Sequence, residues 1–136
     1  MREILFRGKR VDNGEWVKGY LLKYSLICEE KTYILPLNSV CVSDIEVKSE
    51  TVCQYTGLTD KNGRKIFEGD IVRNKGKWNE NIGIVKFQNA RFMINWRLRN
   101  RYSDKGISRR TDDMFPDDEV IGNIFDNPEL IGGKEE

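Results

Sequence analysis

The chain has 136 residues, 23 of them basic and 22 acidic, for a formal net charge of +1. That length suits one domain, or two small subdomains sharing a core, and it can bury enough surface to stand without metal or disulfide staples. The near balance of charge excludes a nucleic-acid or membrane partner chosen by net charge alone. The absence of histidine excludes Ser-His-Asp and Cys-His triads and every His-ligated metal site; an enzyme without it can still use carboxylates, lysine or tyrosine.

The N-terminus MREILFRGKR carries charge but no apolar h-region, so it does not read as a signal peptide. Residues 3–7 and 15–24 are rich in aromatic and branched side chains and read as strands. Between them lies Val11-Asp12-Asn13-Gly14, and Asn-Gly predicts a hairpin with a type I′ turn, in which both residues take positive φ. Thr32–Leu35 reads as a short strand that Pro36 closes or confines to an edge. Short β-like pieces follow at Val40–Val42 and Ile45–Val47, and a subdomain boundary is expected near Ser49. The three cysteines, Cys28, Cys41 and Cys53, form no CxxC pair and are odd in number. Cys28 and Cys41 sit among apolar neighbours, which predicts buried, inert thiols in a reducing cytosol.

From Thr51 the chain reads as a strand to Tyr55, a turn at Thr56-Gly57, a hairpin-type turn at Asp60-Lys61-Asn62-Gly63, and a return over Arg64–Phe67. Glu68-Gly69-Asp70 turns again into the strand Ile71–Arg73, and a polar loop over 75–81 surrounds Trp78. Ile82–Gln88 and Arg91–Leu98 predict a meander joined at Asn89-Ala90; residues 99–118 read as a long polar loop, and Glu119–Phe125 as a strand. Asn127-Pro128-Glu129-Leu130 then resembles an N-cap, an N1 proline and one helical turn stopped by Gly132-Gly133. No apolar run approaches the ~20 residues that span a bilayer. Short strands punctuated by glycine turns about every ten residues predict a mainly β fold, most simply a small barrel. Trp16, Tyr20, Phe67, Phe87 and Phe125 fall in the predicted strands, with core packing as the default.

The stretch QYTGLTDKNGRKIFEGDIV, Gln54 to Val72, resembles the signature of the YopX family, small proteins found chiefly in phages and prophages. FRGKRVDNGEWVKGYLL (Phe6–Leu22), GIVKF (Gly83–Phe87) and VIGNIFDNPELI (Val120–Ile131) fit the same family in the same order. The resemblance implies an SH3-like small barrel over residues 50–136, with the polar loop at about 99–118 as its variable part, preceded by a smaller β-rich part over 1–49. It implies no particular activity.

Turn chemistry accounts for every position of the central motif. Thr56, Gly57, Asp60, Asn62, Gly63, Gly69 and Asp70 are types that supply positive φ or bond neighbouring amides. The rival reading, in which Asp60, Glu68 and Asp70 form a cation or acid/base site, lacks the further ligands a calcium loop needs and has Lys61, Arg64 and Lys65 in its midst. No GxGxxG or GxxxxGK[ST] cradle occurs. Residues 91–110 hold seven basic residues against one acidic. Alternation sends Phe92, Ile94, Trp96 and Leu98 to one face and Arg91, Met93, Asn95 and Arg97 to the other. With Arg99, Arg101, Arg109 and Arg110 this makes a phosphate-binding stripe, with Trp78 and Tyr102 available to stack bases. Against it, residues 112–136 carry nine acids and one lysine, which can neutralise the stripe.

The expectation is therefore a non-enzymatic phage or prophage accessory protein in the cytoplasm of a bacterial host, with no cofactor and no metal. It works by binding a protein partner or its own copies. A nucleic-acid-binding barrel is the first alternative, and a carboxylate or metal enzyme using Asp60 with Asp70, or Asp112, Asp113, Asp117 and Asp118, the second.

Overall fold

The computed structural model describes residues 3–36, 44–75, 80–88, 90–97, 108–110 and 119–131. They form eleven strands and two short 3-10 turns, at Ser49–Thr51 and Pro128–Ile131. The strands are β1 (Phe6–Lys9), β2 (Trp16–Leu26), β3 (Glu29–Pro36), β4 (Ile45–Glu46), β5 (Cys53–Thr59) and β6 (Lys65–Phe67). They continue with β7 (Asp70–Lys75), β8 (Glu80–Gln88), β9 (Arg91–Arg97), β10 (Ser108–Arg110) and β11 (Glu119–Asn123). The contacts divide the chain into two units, Met1–Tyr55 and Thr56–Glu136, so the division falls inside β5.

In the first unit the strands lie in the order β4-β3-β2-β1-β5. β1 pairs with β2 from Phe6 opposite Gly19 to Lys9 opposite Trp16. β2 runs on with β3 from Gly19 opposite Pro36 to Leu26 opposite Glu29. Leu5, Ile34, Val47, Cys53 and Tyr55 are its buried hydrophobic residues. Gly8 passes Val47 so closely that a Cβ would sit 3.0 Å from Val47 Cγ2.

The second unit holds the sheet β10-β9-β8-β7-β11, with the far end of β5 beside β6. Alternation places Val72, Val85, Ile94, Trp96 and Val120 in one core with Ile66, and Leu58 packs against them. Strand β7 lies between β8 and β11, and Ile71 and Val72 are buried on the two sides of its pleat. Both sheets are antiparallel and open in their hydrogen bonding. The sheets are the expected mainly β fold, but they do not close into the small barrel among the described residues.

Several local expectations are corrected. The β1–β2 turn is a four-residue loop, Val11–Gly14, in which Gly14 alone takes positive φ (75°). Asn13 stays out of that region and uses its side-chain oxygen to accept the Glu15 N–H at 2.9 Å. Thr56-Gly57 does not turn the chain; β5 runs through it with Gly57 at φ 94°. β7 and β8 reach Lys75 and Glu80, so both ends of the expected polar loop over 75–81 are strand; 76–79, with Trp78, lie outside the described residues, as do Cys41 and Val40–Val42. The long loop at 99–118 is interrupted by β10, and β11 stops at Asn123, with Ile124–Asp126 turning before the last 3-10 turn. Asn127 Oδ1 reaches back to accept the Asn123 N–H at 3.2 Å. Cys28 is exposed at the β2–β3 turn rather than buried. Tyr20 (55% exposed) and Phe87 (51%) are not core residues, while Phe67 is.

Gly83 marks where the second core is tightest. A Cβ there would lie 2.6 Å from Ile94 Cγ2 and 2.9 Å from Trp96 Cε3. Gly83→Ala is expected to cost about 1–3 kcal/mol by overpacking, read as a lower urea midpoint with unchanged m-value; an unchanged midpoint would show that Trp96 swings aside freely.

Candidate functional site

The turn motif is built around two buried carboxylates. Asp60 is 8% exposed and Asp70 2%. Asp60 Oδ1 accepts the N–H groups of Asn62 and Arg64, each at 2.9 Å, closing a turn in which Gly63 takes φ 79°. Its Oδ2 accepts the Val120 N–H of β11 at 2.9 Å, sixty residues away in sequence. Burial pushes the Asp60 carboxyl up. The three main-chain donors and the nearby Arg64 outweigh it and hold the acid below its usual range. Asp70 Oδ2 accepts the Phe67 N–H at 2.8 Å, closing the β6–β7 turn. Between them Gly69, at φ 86°, donates its N–H to Val85 O and accepts the Ile124 N–H. Thr56 Oγ1 donates to Ile66 O at 2.9 Å and accepts the Leu58 N–H. These carboxylates are engaged with main-chain N–H groups, the geometry of scaffold residues. No cluster of three or more metal-ligating side chains occurs among the described residues. Asp112, Asp113, Asp117 and Asp118 lie outside them.

The arginine stripe is brought together in part. β10 pairs with β9, placing Arg109 opposite Ile94 and Arg110 opposite Met93, so two separated runs of the basic segment become neighbouring strands. Arg91 is exposed at the start of β9, but Met93, expected on the solvent side with it, is 7% exposed. Arg97 ends β9; Arg99, Arg101 and Tyr102 lie outside the described residues. At the opposite edge, Arg73 and Lys61 meet Glu119 at 3.0 and 3.8 Å. The Arg73 hydrogen bond, with Lys61 beside it, holds the Glu119 carboxyl below its usual range.

Sequence reasoning missed an open face on the first unit. Tyr20, Leu22 and Tyr24 alternate along β2, and the register sets them opposite Leu35, Tyr33 and Lys31 of β3. Directly opposed antiparallel residues share a face, so this is one aromatic and aliphatic surface. Tyr24 is 45% exposed, and its ring meets Tyr33 edge-on at 5.2 Å. Its hydroxyl donates to Asp44 Oδ2 at 3.1 Å, which pushes the phenol's pKa up. Glu46 stands opposite Tyr33 on the acidic side. On the other side, the Arg7 guanidinium lies 4.6 Å and the Lys9 ammonium 5.4 Å from the Trp16 ring centre. The tell-tale signal was the i, i+2, i+4 spacing of Tyr20, Leu22 and Tyr24 beyond the reach of β1, whose last partner is Gly19. Near the β4 edge an open groove of about 390 Å³ is lined by Arg10, Val11, Asp12, Asp44, Ile45 and Glu46. A bidentate Arg10–Asp12 pair (2.9 and 2.7 Å) occupies its rim and lowers the Asp12 pKa.

The family model described as YopX protein matches residues 5–132. The chain therefore belongs to the YopX family. No curated protein matches it. Among solved structures it is similar to protein EF1440 from Enterococcus faecalis, with a TM-score of 0.52 at 20% identity, over 96% of this chain and 99% of that one. At that identity the likeness speaks for the fold. No helix among the described residues is long and apolar enough to cross a membrane.

Asp60 yields two measurable expectations. Asp60→Ala, which strands three N–H donors, is expected to destabilise by about 3 kcal/mol, and Asp60→Asn by about 1–2, in urea unfolding. Because the folded pKa lies below the unfolded value of about 3.9, the stabilisation is complete above that value. It is lost as pH falls through the folded pKa. Wild type should lose its margin over Asp60→Asn as pH drops from about 5 toward 2; a constant margin would refute the assignment.

Proposed function

We propose that this YopX-family chain is a non-catalytic accessory protein of phages and prophages, working in the bacterial cytoplasm by binding a protein partner through the open face of β2–β3. The observation that carries the reading is the exposure of Tyr20 and Tyr24 on one face with Leu22, Tyr33 and Leu35 half-buried between them. Tyrosine-rich faces of this kind supply large contact area at small entropic cost and are enriched at interfaces. Engagement of Asp60 and Asp70 by main-chain donors supports the non-catalytic part, and family membership supports the phage context. For the second unit we keep the SH3-like reading, supported by a β7–β10 meander with the last strand returned beside β7.

The test is retention of proteins from infected and uninfected host extracts on the immobilised chain, with Tyr20→Ser/Tyr24→Ser as control. At least one protein should be held stoichiometrically by wild type and lost by the variant. Identical retention profiles would refute the reading.

The pairing of β10 with β9, which sets Arg110 opposite Met93 on the face of Arg91 and Arg97 and Arg109 opposite Ile94 on the other, favours a second reading, a nucleic-acid surface using Arg91, Arg97 and Arg110. Here the measurement is binding of labelled DNA and RNA across a salt series. On this reading Arg91→Glu/Arg110→Glu weakens all sequences alike and lowers the salt slope by roughly two. No binding at low salt reduces the arginines to a solvated face.

A further inference from the structure

We infer that the open face of β2–β3 is covered by the same face of a second copy of this chain; the inference rests on the binding-module reading and names its partner. From Tyr20 onward β2 has left β1 behind and runs only with β3. Every described side chain from Lys23 to Glu30 is exposed, and Ile27 at the tip is fully so. Beyond Leu22 and Tyr33, where the pairing of β4 with β3 ends, β2 and β3 form a two-stranded ribbon, which is marginal in water by itself. This one extends an aromatic and aliphatic face with nothing from the described residues laid over it, and such a face calls for cover.

The charge layout selects the occupant. Across the strands, one rim of the face is acidic, with Asp44 bonded to Tyr24 and Glu46 opposite Tyr33. The other rim is basic. Lys18 lies two residues from Tyr20 on the same face and opposite Arg7, and Lys9 follows on β1. Consider a two-fold axis that runs along the strands between two such faces. It turns left into right, so the acidic rim of each copy meets the basic rim of the other, twice, with the tyrosines between. An isologous interface requires this self-complementarity. A uniformly acidic or basic partner would be repelled by one rim, and a nucleic acid would meet Asp44 and Glu46.

Sedimentation equilibrium from about 1 to about 200 µM spans the dissociation of a micromolar dimer. Wild type should be dimeric at the upper end. Tyr20→Ser/Tyr24→Ser should weaken association at least about tenfold. Lys18→Glu alone and Asp44→Lys alone should each weaken it by about tenfold, and the two in one chain should restore it, since the swapped rims are again complementary. The charge reversals lie at exposed positions, so they carry the test even if the tyrosine variant misfolds. A monomer throughout, a dimer indifferent to these changes, or a double reversal that fails to restore would each overturn the inference. A monomeric wild type that still retains a partner through Tyr20 and Tyr24 overturns only the self-pairing; one that retains nothing overturns the binding-module reading as well.

Discussion

The second unit depends on one carboxylate. Asp60 closes its own turn with one oxygen and with the other holds the start of β11, the strand that completes the sheet on the far side of β7. Those N–H groups have no better acceptor. A hydroxyl or amide in this place would supply less charge and fewer lone pairs. The burial of the acid, costly alone, is offset because each oxygen is met by main-chain donors. Gly69 makes a second tie, between β8 and the turn that follows β11. The motif that reads as a string of turn formers is thus also the clasp that sets where the last strand docks.

Much of this was legible. The glycine turns, the β8–β9 meander and the alternation that sends Ile94 and Trp96 inward follow from period and turn chemistry, because they are local. Asp60 was legible as a turn former, but its bond to Val120 was not, since nothing local pairs residues so far apart. The misreadings have one cause in common. Tyr20, Phe87 and Cys28 were assigned from their neighbours' hydropathy, yet each lies where a strand outruns its neighbour or turns at a hairpin end. β10 was hidden because Ser108–Arg110 has no apolar alternation and is a strand only through its pairing with β9.

The two units put their aromatic residues to different use. In the second, Trp96 is spent on the core, packed over Gly83, and Phe87 with Phe92 caps a hairpin tip by an edge-on contact at 5.0 Å. In the first, four of the rings lie toward one surface: Trp16 under Arg7 and Lys9, then Tyr20, Tyr24 and Tyr33. Rings stacked with cations and hydroxyls bonded to carboxylates keep that surface wettable while it stays open.

The long sequence span of the Asp60–Val120 bond has a consequence for synthesis on the ribosome. The strands β7, β8 and β9 can pair as soon as they emerge, since each follows its neighbour. Until Val120 clears the exit tunnel, however, Asp60 has only two of its three donors, and β7 presents an unpaired edge to solvent. Nascent chains of this protein are therefore most exposed to mispairing in the interval between β9 and β11, and translation speed over that interval sets how long the edge stays open.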